Sequence, residues 1–525
     1  MLKGLTVTAI LLTVQARAEW IESKNRFIVK SDNVSSLVDK IKSAKNGEYI
    51  RIENWGDSQF LSIEMPMPLD SSSVVSELKA IEQIEWIAPV RYFEGDPRES
   101  LVNDPKIGDQ YHHKIIQSEN AWKVATGSEE ILVAVTDDGF DLNHEDLIDS
   151  IAINENEIPG NGVDDDNNGF IDDVRGWDFA ENDNNPMSDN SDGAHGTHVA
   201  GIVAAAWNNG VGVTGMGPML KVLPIKFYGG GRWSNEIVLK SYQYAVLRGA
   251  KIVNTSYNID GLATDPVYLA AVDAVYNSGG IVFNSAGNSN AHQSARTKVE
   301  KIILVASTQS GSSSSNSKHD LKSSFSNYGK GVDIAAPGNP IFSLGRGNKY
   351  MDMSGTSMAS PVAAAAMAYL WSVYPEKSRE EIFALLSMGV DDIDRLNPKY
   401  EHKLGTGRIN LAKSVEEKIR PLQIIDMVYD AKKRELLIQY WGRLDHKTRS
   451  LPTIKISGQN LSSMALTPLN RPELGTNELR YSLNVPAGEY AVAVEASDWK
   501  DVFGREFDGD LDGIPGGNWS RNIKL

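Results

Sequence analysis

VAVTDDGFD, spanning Val133 to Asp141, is an apolar run that ends in two adjacent aspartates and a glycine. Further unbroken apolar runs follow it, namely KVLPIKF, AKIVNTSY, GGIVFNSAG and KIILVAS. Segments with helical periodicity, such as HGTHVAGIVAAAW and NEIVLKSYQYAVLRG, separate these runs. Strands that do not alternate polar and apolar residues are buried on both faces. The sequence therefore predicts an α/β fold with a doubly wound, mostly parallel sheet.

Smaller segments flank this region, as expected for a chain of 525 residues, which is too long for one core. Residues 19–100 indicate a small α+β unit, with strands at Arg26–Lys30 and Gln59–Met65 and helical spacing over Ser72–Ile87. The tail alternates polar and apolar residues in RELLIQYWG, TIKISG, ELRYSLNVP and GEYAVAVEA, which is typical of a small β-sandwich. The predicted domains are residues 19–100, 101–418 and 419–525.

Charge and composition exclude some classes of function. The formal net charge of −17 argues against a nucleic-acid partner, because phosphate binding depends on Lys and Arg. Lys3, an apolar run over residues 4–14, and small residues at Ala16 and Ala18 predict a signal peptide cleaved after Ala18, and hence a secreted or periplasmic protein. A buried N-terminal helix is the alternative, which the terminal position disfavours. No other apolar run is long enough to span a membrane.

The chain contains no cysteine, so an exported protein of this sequence must gain its stability from a core or from bound metal. We expect a monomer.

Polar residues follow the predicted strands or begin the predicted helices, at the edge of a parallel sheet where ligands bind. An aspartate, a histidine and a serine can form a nucleophilic triad, in which the imidazole takes the serine proton and the buried carboxylate orients the imidazole. An asparagine amide can stabilise the oxyanion. Such residues occur in the order Asp, His, Ser, and no Gly-x-Ser-x-Gly elbow surrounds the serine, which excludes an α/β-hydrolase. Taken singly, each of these residues is more often a helix cap or a turn former.

Four blocks, VAVTDDGFD, HGTHVAGI, NSAGN and SGTSMASP, together resemble the signature blocks of the subtilisin-like serine peptidases. SSFSNYG, VDIAAPG and GTGRINLAKSV resemble the segments that connect them in that family, so the resemblance covers about residues 103–415. It implies Asp137, His195 and Ser357 as the triad and Asn288 as the oxyanion donor. His198, three residues after His195, has no evident third metal ligand and is interpreted as a structural residue.

The resemblance also implies a substrate site. NTSYNI resembles the segment that forms one wall of the primary pocket, SAG resembles the opposite wall, and YGGG resembles an edge strand that pairs with extended substrate. The implied residues are Ser256, Tyr257, Asn258, Ser285, Ala286, Gly287, Gly229 and Gly230. Asn258 stands where the family usually has glycine, which leaves the width of the pocket open.

Ca²⁺ is the cofactor that the sequence implies. WNNGVGVTG resembles the strong calcium loop of the family, with Asn209 and the carbonyls of Trp207, Val211 and Val213 as ligands, completed by Asp104 and Asp146. A second candidate is DDDNNGFIDD, where the spacing of Asp164, Asp166, Asn168 and Asp172 is ligand-like. It lacks the twelfth-position Glu of an EF-hand, and a solvated acidic loop is its alternative. DGDLDG in the tail is a weaker candidate of the same kind.

Residues 19–100 lie where this family keeps a propeptide, which resembles a folding template and an inhibitor of its own enzyme. We therefore expect a zymogen that cleaves itself between Tyr92 and Asn103 and then acts on protein or peptide substrates. Two alternatives stay open: a catalytically silent binding protein on a peptidase scaffold, and a kexin-like processing peptidase, since Asp-Asp-Gly also occurs there. Because side chains alternate in extended backbone, only one of Asp137 and Asp138 can face His195. The resemblance selects Asp137, and Asp138 is expected to be a local hydrogen-bond acceptor whose loss costs much less turnover.

Overall fold

The computed structural model describes residues 19–31, 33–38, 51–54, 59–64, 84–94, 101–128, 130–188, 194–229, 233–257, 259, 261–293, 299, 301–311, 319–417, 421–444, 453–458, 461–470, 478–495, 497, 499–503, 505–509 and 515–524. Internal contacts divide the chain into two compact units, with the boundary between Ser100 and Leu101.

The first unit contains an antiparallel sheet in the order β2-β3-β1-β4. Its strands are β1 (Glu19–Lys30), β2 (Arg51–Asn54), β3 (Phe60–Glu64) and β4 (Trp86–Glu94). Alternate residues of β1 and β3, among them Phe27, Val29, Leu61 and Ile63, are fully buried, so one face of the sheet carries the core. Both predicted strands are confirmed. Most of the predicted helix lies outside the described residues, but its last residues, Trp86 and Ile87, belong to β4, so that boundary is wrong.

The second unit is built on a sheet of nine strands in the order β14-β15-β11-β10-β9-β8-β5-β7-β6. All neighbours are parallel except β14 and β15, which confirms the predicted sheet. The strands are β5 (Ile131–Asp137), β6 (Trp177–Asp178), β7 (Leu220–Lys226), β8 (Ile252–Thr255), β9 (Ile281–Ser285), β10 (Ile302–Gln309), β11 (Ile334–Asn339), β14 (Val390–Asp391) and β15 (Arg408–Ile409). A separate hairpin pairs β12 (Ile341–Gly345) with β13 (Lys349–Met353).

Helices cover both faces of this sheet. Along β5, Val133 and Val135 join one buried cluster and Ala134 joins the other, because successive side chains point to opposite faces. The helices are α1 (Tyr111–Ile115), α2 (Ser118–Val124), α3 (Ala194–Ala204), α4 (Asn235–Leu247), α5 (Pro266–Asn277), α6 (Thr356–Val373), α7 (Arg379–Met388) and α8 (Leu411–Val415), with 3₁₀ turns at Ile107–Asp109, Ile148–Ser150, Asp394–Leu396 and Pro398–Tyr400. Helices α3 and α6 belong to the first cluster, and α4 and α5 to the second. Among the described helices, none is long and apolar enough to cross a membrane.

The parallel sheet brings its polar strand ends together. β5, β8 and β9 are consecutive neighbours in register, with Thr136 beside Thr255 and Thr255 beside Asn284. Their carboxyl ends therefore meet at one edge of the sheet. This edge carries Asp137, the segment after β8 and the segment after β9, as expected for a ligand site in this class of fold.

The C-terminal residues form two antiparallel sheets with a common core. One sheet has the order β16-β17-β20, and the other has the order β19-β18-β21-β22. The strands are β16 (Gln423–Asp430), β17 (Glu435–Trp441), β18 (Ile454–Gly458), β19 (Leu461–Leu466), β20 (Glu478–Ser482), β21 (Glu489–Val494) and β22 (Trp519–Lys524). Leu436 and Ile438 from one sheet and Ile456 and Val492 from the other are fully buried in that core. The predicted β-sandwich is confirmed.

The sandwich packs on helix α7 and strand β14 through an apolar contact. Trp441 is buried with Met388 and Val390, and its indole nitrogen donates to the carbonyl of Thr406 at 2.9 Å. Arg443 lies over the ring of Phe383 at 4.4 Å and donates to the Ser387 hydroxyl at 3.2 Å. Helix α7 supplies most of the residues in this contact. The sandwich therefore covers apolar surface of α7 that would otherwise be exposed.

Replacing Trp441 by Ala should remove the centre of this contact. We expect a loss of about 3 to 5 kcal/mol in the free energy of unfolding, as for other buried tryptophans, measured by urea denaturation followed by circular dichroism. Val428→Ala, at a side chain that is 50% exposed, is the control. Equal stability of the two variants would mean that the contact does not stabilise the chain.

Candidate active site

Asp137 and His195 form a hydrogen-bonded pair in which the carboxylate is buried. Asp137 is the last residue of β5, and its side chain is 6% exposed. Its Oδ1 atom lies 2.8 Å from Nδ1 of His195, the second residue of α3. The same oxygen accepts the backbone N–H of Asp138 at 2.8 Å. The carboxylate therefore fixes the imidazole through Nδ1, which leaves Nε2 for exchange of a proton with a substrate or nucleophile.

Asp138 does not share that bond. Its Oδ1 accepts the backbone N–H of Gly196 at 2.9 Å, so it holds the first turn of the helix that carries His195. A Cβ at Gly196 would lie 2.3 Å from the carbonyl oxygen of Gly139, which explains why glycine is needed at this close approach. The contact agrees with the expected role of Asp138 as a local acceptor, and the imidazole bonds to only one of the two aspartates.

The two carboxylates govern the proton affinity of His195. Burial by itself lowers the pKa of the imidazole, but the charge and hydrogen bond of Asp137, with a further contribution from the charge of Asp138, raise it to about 9. The side chain is still 35% exposed, because it faces the cleft. A raised pKa means that the neutral imidazole, the form that can accept a proton, accumulates only at alkaline pH.

Ser357 is the second residue of α6 and lies in the first turn of that helix. The hydroxyl of Ser357 and the imidazole of His195, both described, are not hydrogen-bonded in this structure. Such bonds often form only when substrate is bound. Pro361 has no N–H to bond the Ser357 carbonyl, which instead accepts the Ser256 hydroxyl at 3.4 Å.

Asn288 is oriented by Thr356. Its Oδ1 accepts both the backbone N–H of Thr356, at 2.9 Å, and the Thr356 hydroxyl, at 2.8 Å. Because a backbone N–H can only donate, the oxygen must face Thr356, and Nδ2 must point away from it. A Cβ at Gly355 would lie 3.6 Å from this Nδ2 and 3.5 Å from the backbone nitrogen of Ser357. The two nitrogens therefore lie close to the same point beside Gly355.

The expected substrate residues lie around the same edge. Ser256 and Tyr257 follow β8, and Ser285, Ala286 and Gly287 close β9 and the turn after it. Tyr257 packs on Trp233, with ring centroids 4.8 Å apart, and its hydroxyl is 2.7 Å from that of Tyr242. Gly229 follows β7. Asn258 and Gly230 lie outside the described residues.

The first expected calcium site contains two buried carboxylates. Asp104 and Asp146 are 2% and 0% exposed, and neither forms an ion pair with a described residue. Both accept backbone N–H groups from the loop that contains Trp207, Asn209, Val211 and Val213. Burial, together with the charge of Asp104, raises the pKa of Asp146 to about 7. These acids lack a counter-charge, so a divalent cation fits the donor set.

The second expected calcium site contains three acidic side chains whose oxygens lie close together, one of them outside the predicted set. Glu157, Asp164 and Asp166 each offer an oxygen within 4.8 Å of the others. Asn168 lies beside this group, with its amide nitrogen donating to Asp166 at 3.1 Å and its Oδ1 accepting the backbone N–H of Phe170 at 2.8 Å. Asp172, also expected as a ligand, lies outside that trio, and its carboxylate accepts the backbone N–H groups of residues 160–162. Glu157 was missed because it precedes the ligand-like spacing, and no local pattern distinguishes it.

His198 is structural, as predicted. Its Nε2 donates to the carbonyls of Ile341 at 3.0 Å and Met351 at 3.2 Å, one on each strand of the β12–β13 hairpin. Burial lowers its pKa to about 4, so it is neutral near neutral pH. His198 thus ties α3 to the hairpin that leads into Ser357.

Fold and contacts define a doubly wound α/β protein in which a carboxylate–imidazole pair and a helix-borne serine meet at the carboxyl edge of the sheet, the arrangement of a serine hydrolase. A sequence model of the subtilase family, Peptidase S8, matches residues 128–407. The chain is 33% identical over 319 residues to thermitase of Thermoactinomyces vulgaris, which is 60% of this chain and 99% of thermitase. It belongs to the subtilase family of serine endopeptidases.

Other relatives are matched over less of their length. Subtilisin-like protease 1 of Plasmodium falciparum is 32% identical over 277 residues, 48% of this chain and 39% of that protein. The halolysin-like extracellular serine protease Nep of Natrialba magadii is 30% identical over 285 residues, 54% of this chain and 47% of Nep. The chain thus spans nearly all of thermitase and less than half of these larger relatives.

The two aspartates should respond differently to loss of charge. Asp137→Asn should lower turnover by about four orders of magnitude, because it can no longer hold the imidazole in the correct tautomer. Asp138→Asn keeps an oxygen for Gly196 and removes one charge that raises the His195 pKa. Since the neutral base forms above its pKa, we expect the acid limb of kcat/KM to move to lower pH while most of the plateau turnover is retained, as measured in pH–rate profiles. An unmoved limb, or equal losses of turnover from both substitutions, would contradict these roles.

Proposed function

We propose that this chain is a serine endopeptidase that cleaves peptide bonds through a covalent acyl-enzyme. The observation that carries the proposal is the 2.8 Å bond between Asp137 and His195, at the same edge of the sheet as Ser357. Family membership supports it, and two of the relatives are proteases by name. The alternative of a silent binding protein has no support in the site, which retains the base, its orienting carboxylate and both oxyanion donors.

Each residue has a role in the proposed reaction. The Ser357 oxygen attacks the carbonyl carbon of the scissile bond, and its proton passes to Nε2 of His195. The backbone N–H of Ser357 and the Nδ2 amide of Asn288 stabilise the oxyanion. When the C–N bond breaks, His195 returns the proton to the leaving amine. Water then attacks the acyl-enzyme by the same proton route, releases the acid and restores Ser357.

The substrate is proposed to be a protein or peptide in extended conformation. Gly229 and Gly230 would pair with its backbone, as when a strand is added to a sheet edge. Ser256, Tyr257, Asn258, Ser285, Ala286 and Gly287 would border the primary pocket. The ring contact of Tyr257 with Trp233 makes that side of the site aromatic and apolar, which favours uncharged substrate side chains there.

Production as a zymogen is proposed for the first unit. Residues 19–100 would act as the inhibitor-like propeptide, and cleavage would fall between Tyr92 and Asn103. Export is proposed with it, after removal of residues 1–18, which lie outside the described part of the chain. The name of the extracellular relative Nep supports export.

Ser357→Ala tests activity and processing together. The wild-type protein should mature to a shorter chain and take up a fluorophosphonate label on Ser357, because only an activated serine reacts with it. Purified alone, Ser357→Ala should stay full length and unlabelled. Ser354→Ala, three residues earlier and exposed, is the control and should be labelled. A wild-type protein without label would refute the enzyme, and maturation of Ser357→Ala would refute self-cleavage.

Calcium is proposed as a structural cofactor. Asp104, Asp146 and Asn209, with the carbonyls of Trp207, Val211 and Val213, would hold one ion. Glu157, Asp164, Asp166 and Asn168 would hold another. A bound cation would neutralise carboxylates that are now buried or clustered without a counter-charge, and would fix both loops.

Removal of calcium should therefore destabilise the protein. At a free Ca²⁺ concentration of about a hundred times Kd, one ion adds about 2.7 kcal/mol, so a chelator should lower the Tm measurably by calorimetry. Asp146→Asn should weaken binding in a calcium titration, whereas Asp149→Asn, at an exposed site, should not. The same Tm with Ca²⁺ and with chelator would exclude a structural calcium.

A further inference from the structure

The residue proposed to stabilise the oxyanion lies in a loop without regular structure. Asn288 is exposed and belongs to the segment Ala286–Gln293, which follows β9. An oxyanion donor is effective only when its position is fixed before the reaction. This loop must therefore be fixed by contacts from elsewhere in the chain.

A second segment, Lys322–Tyr328, supplies those contacts. The backbone N–H of Asn290 donates to the carbonyl of Phe325 at 2.7 Å, and that of Asn327 donates to Gly287 at 2.8 Å. The Asn327 side chain accepts from the N–H groups of Ser289 and Ala291 and donates to Ala286. These bonds bracket Asn288 on both sides, so the two segments form one unit.

Lys322 completes this unit with an ammonium group. Its Nζ donates to Oδ1 of Asn290 at 2.9 Å and to the carbonyls of Ser323 and Ser326 at 2.9 and 2.8 Å. All three of its hydrogens therefore have acceptors. The rings of Tyr328 and Tyr400 enclose it at 5.6 and 4.7 Å. The Lys322 ammonium thus joins Asn290, in the loop that carries Asn288, to the turn at Ser323 and Ser326.

The position of Lys322 is unusual for a lysine. The residue is 7% exposed, and within the described part of the chain its ammonium pairs with no carboxylate. A buried charge without a counter-ion is costly unless its environment binds it well. Burial lowers the pKa of Lys322 to about 8, so the ammonium form still predominates at neutral pH. Here neutral oxygens and the faces of aromatic rings bind the ammonium group, as they would bind a free cation.

We propose that Lys322 is a positioning residue for the reaction, an internal cation that holds the Asn288 loop in the geometry needed for oxyanion binding. The inference rests on the proposed peptidase function. Lys322 contacts neither substrate nor reacting atoms, and it acts through Asn290. Its loss should therefore weaken binding of the transition state and leave binding of the substrate nearly unchanged.

Because the proposed role of Lys322 depends on its positive charge, an experiment can distinguish it from a role in packing alone. Lys322→Ala leaves three oxygens and two rings around a space that has lost the terminal four atoms of the side chain. n-Propylammonium has the size and charge to refill it. We expect kcat at pH about 7.5 to fall about tenfold to a hundredfold, less than or similar to the loss of an oxyanion donor, with KM changed less than about twofold. Added n-propylammonium should recover several-fold of the loss, and 1-propanol should recover none.

Lys301→Ala is the matched control, because Lys301 also lies over a tyrosine ring but forms an ion pair with Asp273 on the surface. It should keep the wild-type kcat and show no rescue. A peptide boronate forms a tetrahedral adduct with Ser357. The affinity of Lys322→Ala for this inhibitor should fall in parallel with its kcat, whereas the affinity of Lys301→Ala should not change. If Lys322→Ala does not fold, Lys322→Met, which keeps the chain length on the rings, takes its place and should give the same loss of kcat and boronate affinity.

Either of two results for Lys322→Ala would overturn the inference: a kcat equal to that of Lys301→Ala, or a loss of kcat that n-propylammonium does not relieve. A loss shared equally between kcat and KM in Lys322→Met would also overturn it, because that pattern indicates general distortion. Wild-type protein serves as the reference throughout. If it does not hydrolyse peptides, the proposed function fails; if it does and the Lys322 variants match it, this inference alone fails.

Discussion

A carboxylate buried at the end of a parallel strand must be hydrogen-bonded, and in this protein its side-chain partner is a histidine at the start of a helix. Asp137 receives the His195 imidazole and the backbone N–H of Asp138, while Asp138 receives the backbone N–H of Gly196. Strand β5 and helix α3 are thereby joined at one point. The close approach depends on Gly196, since a side chain there would collide with Gly139. Both the orientation and the proton affinity of His195 follow from this junction.

The other half of the site depends on a similar junction between loops and a helix. Thr356 begins α6, donates twice to Asn288 and accepts the backbone N–H of Gly287. Ser357 and Asn288, the proposed nucleophile and oxyanion donor, are thus attached to each other through one threonine. Behind Asn288, the Lys322–Tyr328 segment holds the loop through backbone bonds and a buried ammonium. The loop that carries Asn288 is not paired as a strand, so polar contacts hold its backbone in place.

The hairpin before α6 connects the site to the rest of the domain. His198, one turn after His195, bonds to both strands of the hairpin, and Ser343 on β12 donates to the carbonyl of His198. Helix α3 thus contacts the segment that delivers Ser357 as well as the strand that carries Asp137. Tyr350 on β13 reaches the Gly212 turn of the proposed calcium loop, where a Cβ would lie 2.1 Å from its hydroxyl oxygen. The proposed calcium loop therefore packs against the same hairpin that leads into Ser357.

The sequence by itself determined the class of fold, because unbroken apolar strands separated by helical runs can be buried only in a parallel sheet between helices. It also selected Asp137, His195, Asn288 and Ser357 as candidate site residues, since each belongs to a block with a distinctive local pattern. The tertiary structure decided which further residues surround these four and the proposed calcium ligands. Lys322 and Glu157 have ordinary neighbours in sequence, Asp172 has ligand-like spacing but bonds elsewhere, and Thr356 gains its role from a loop 68 residues away. Such contacts depend on distances between segments far apart in the chain, which no local pattern records.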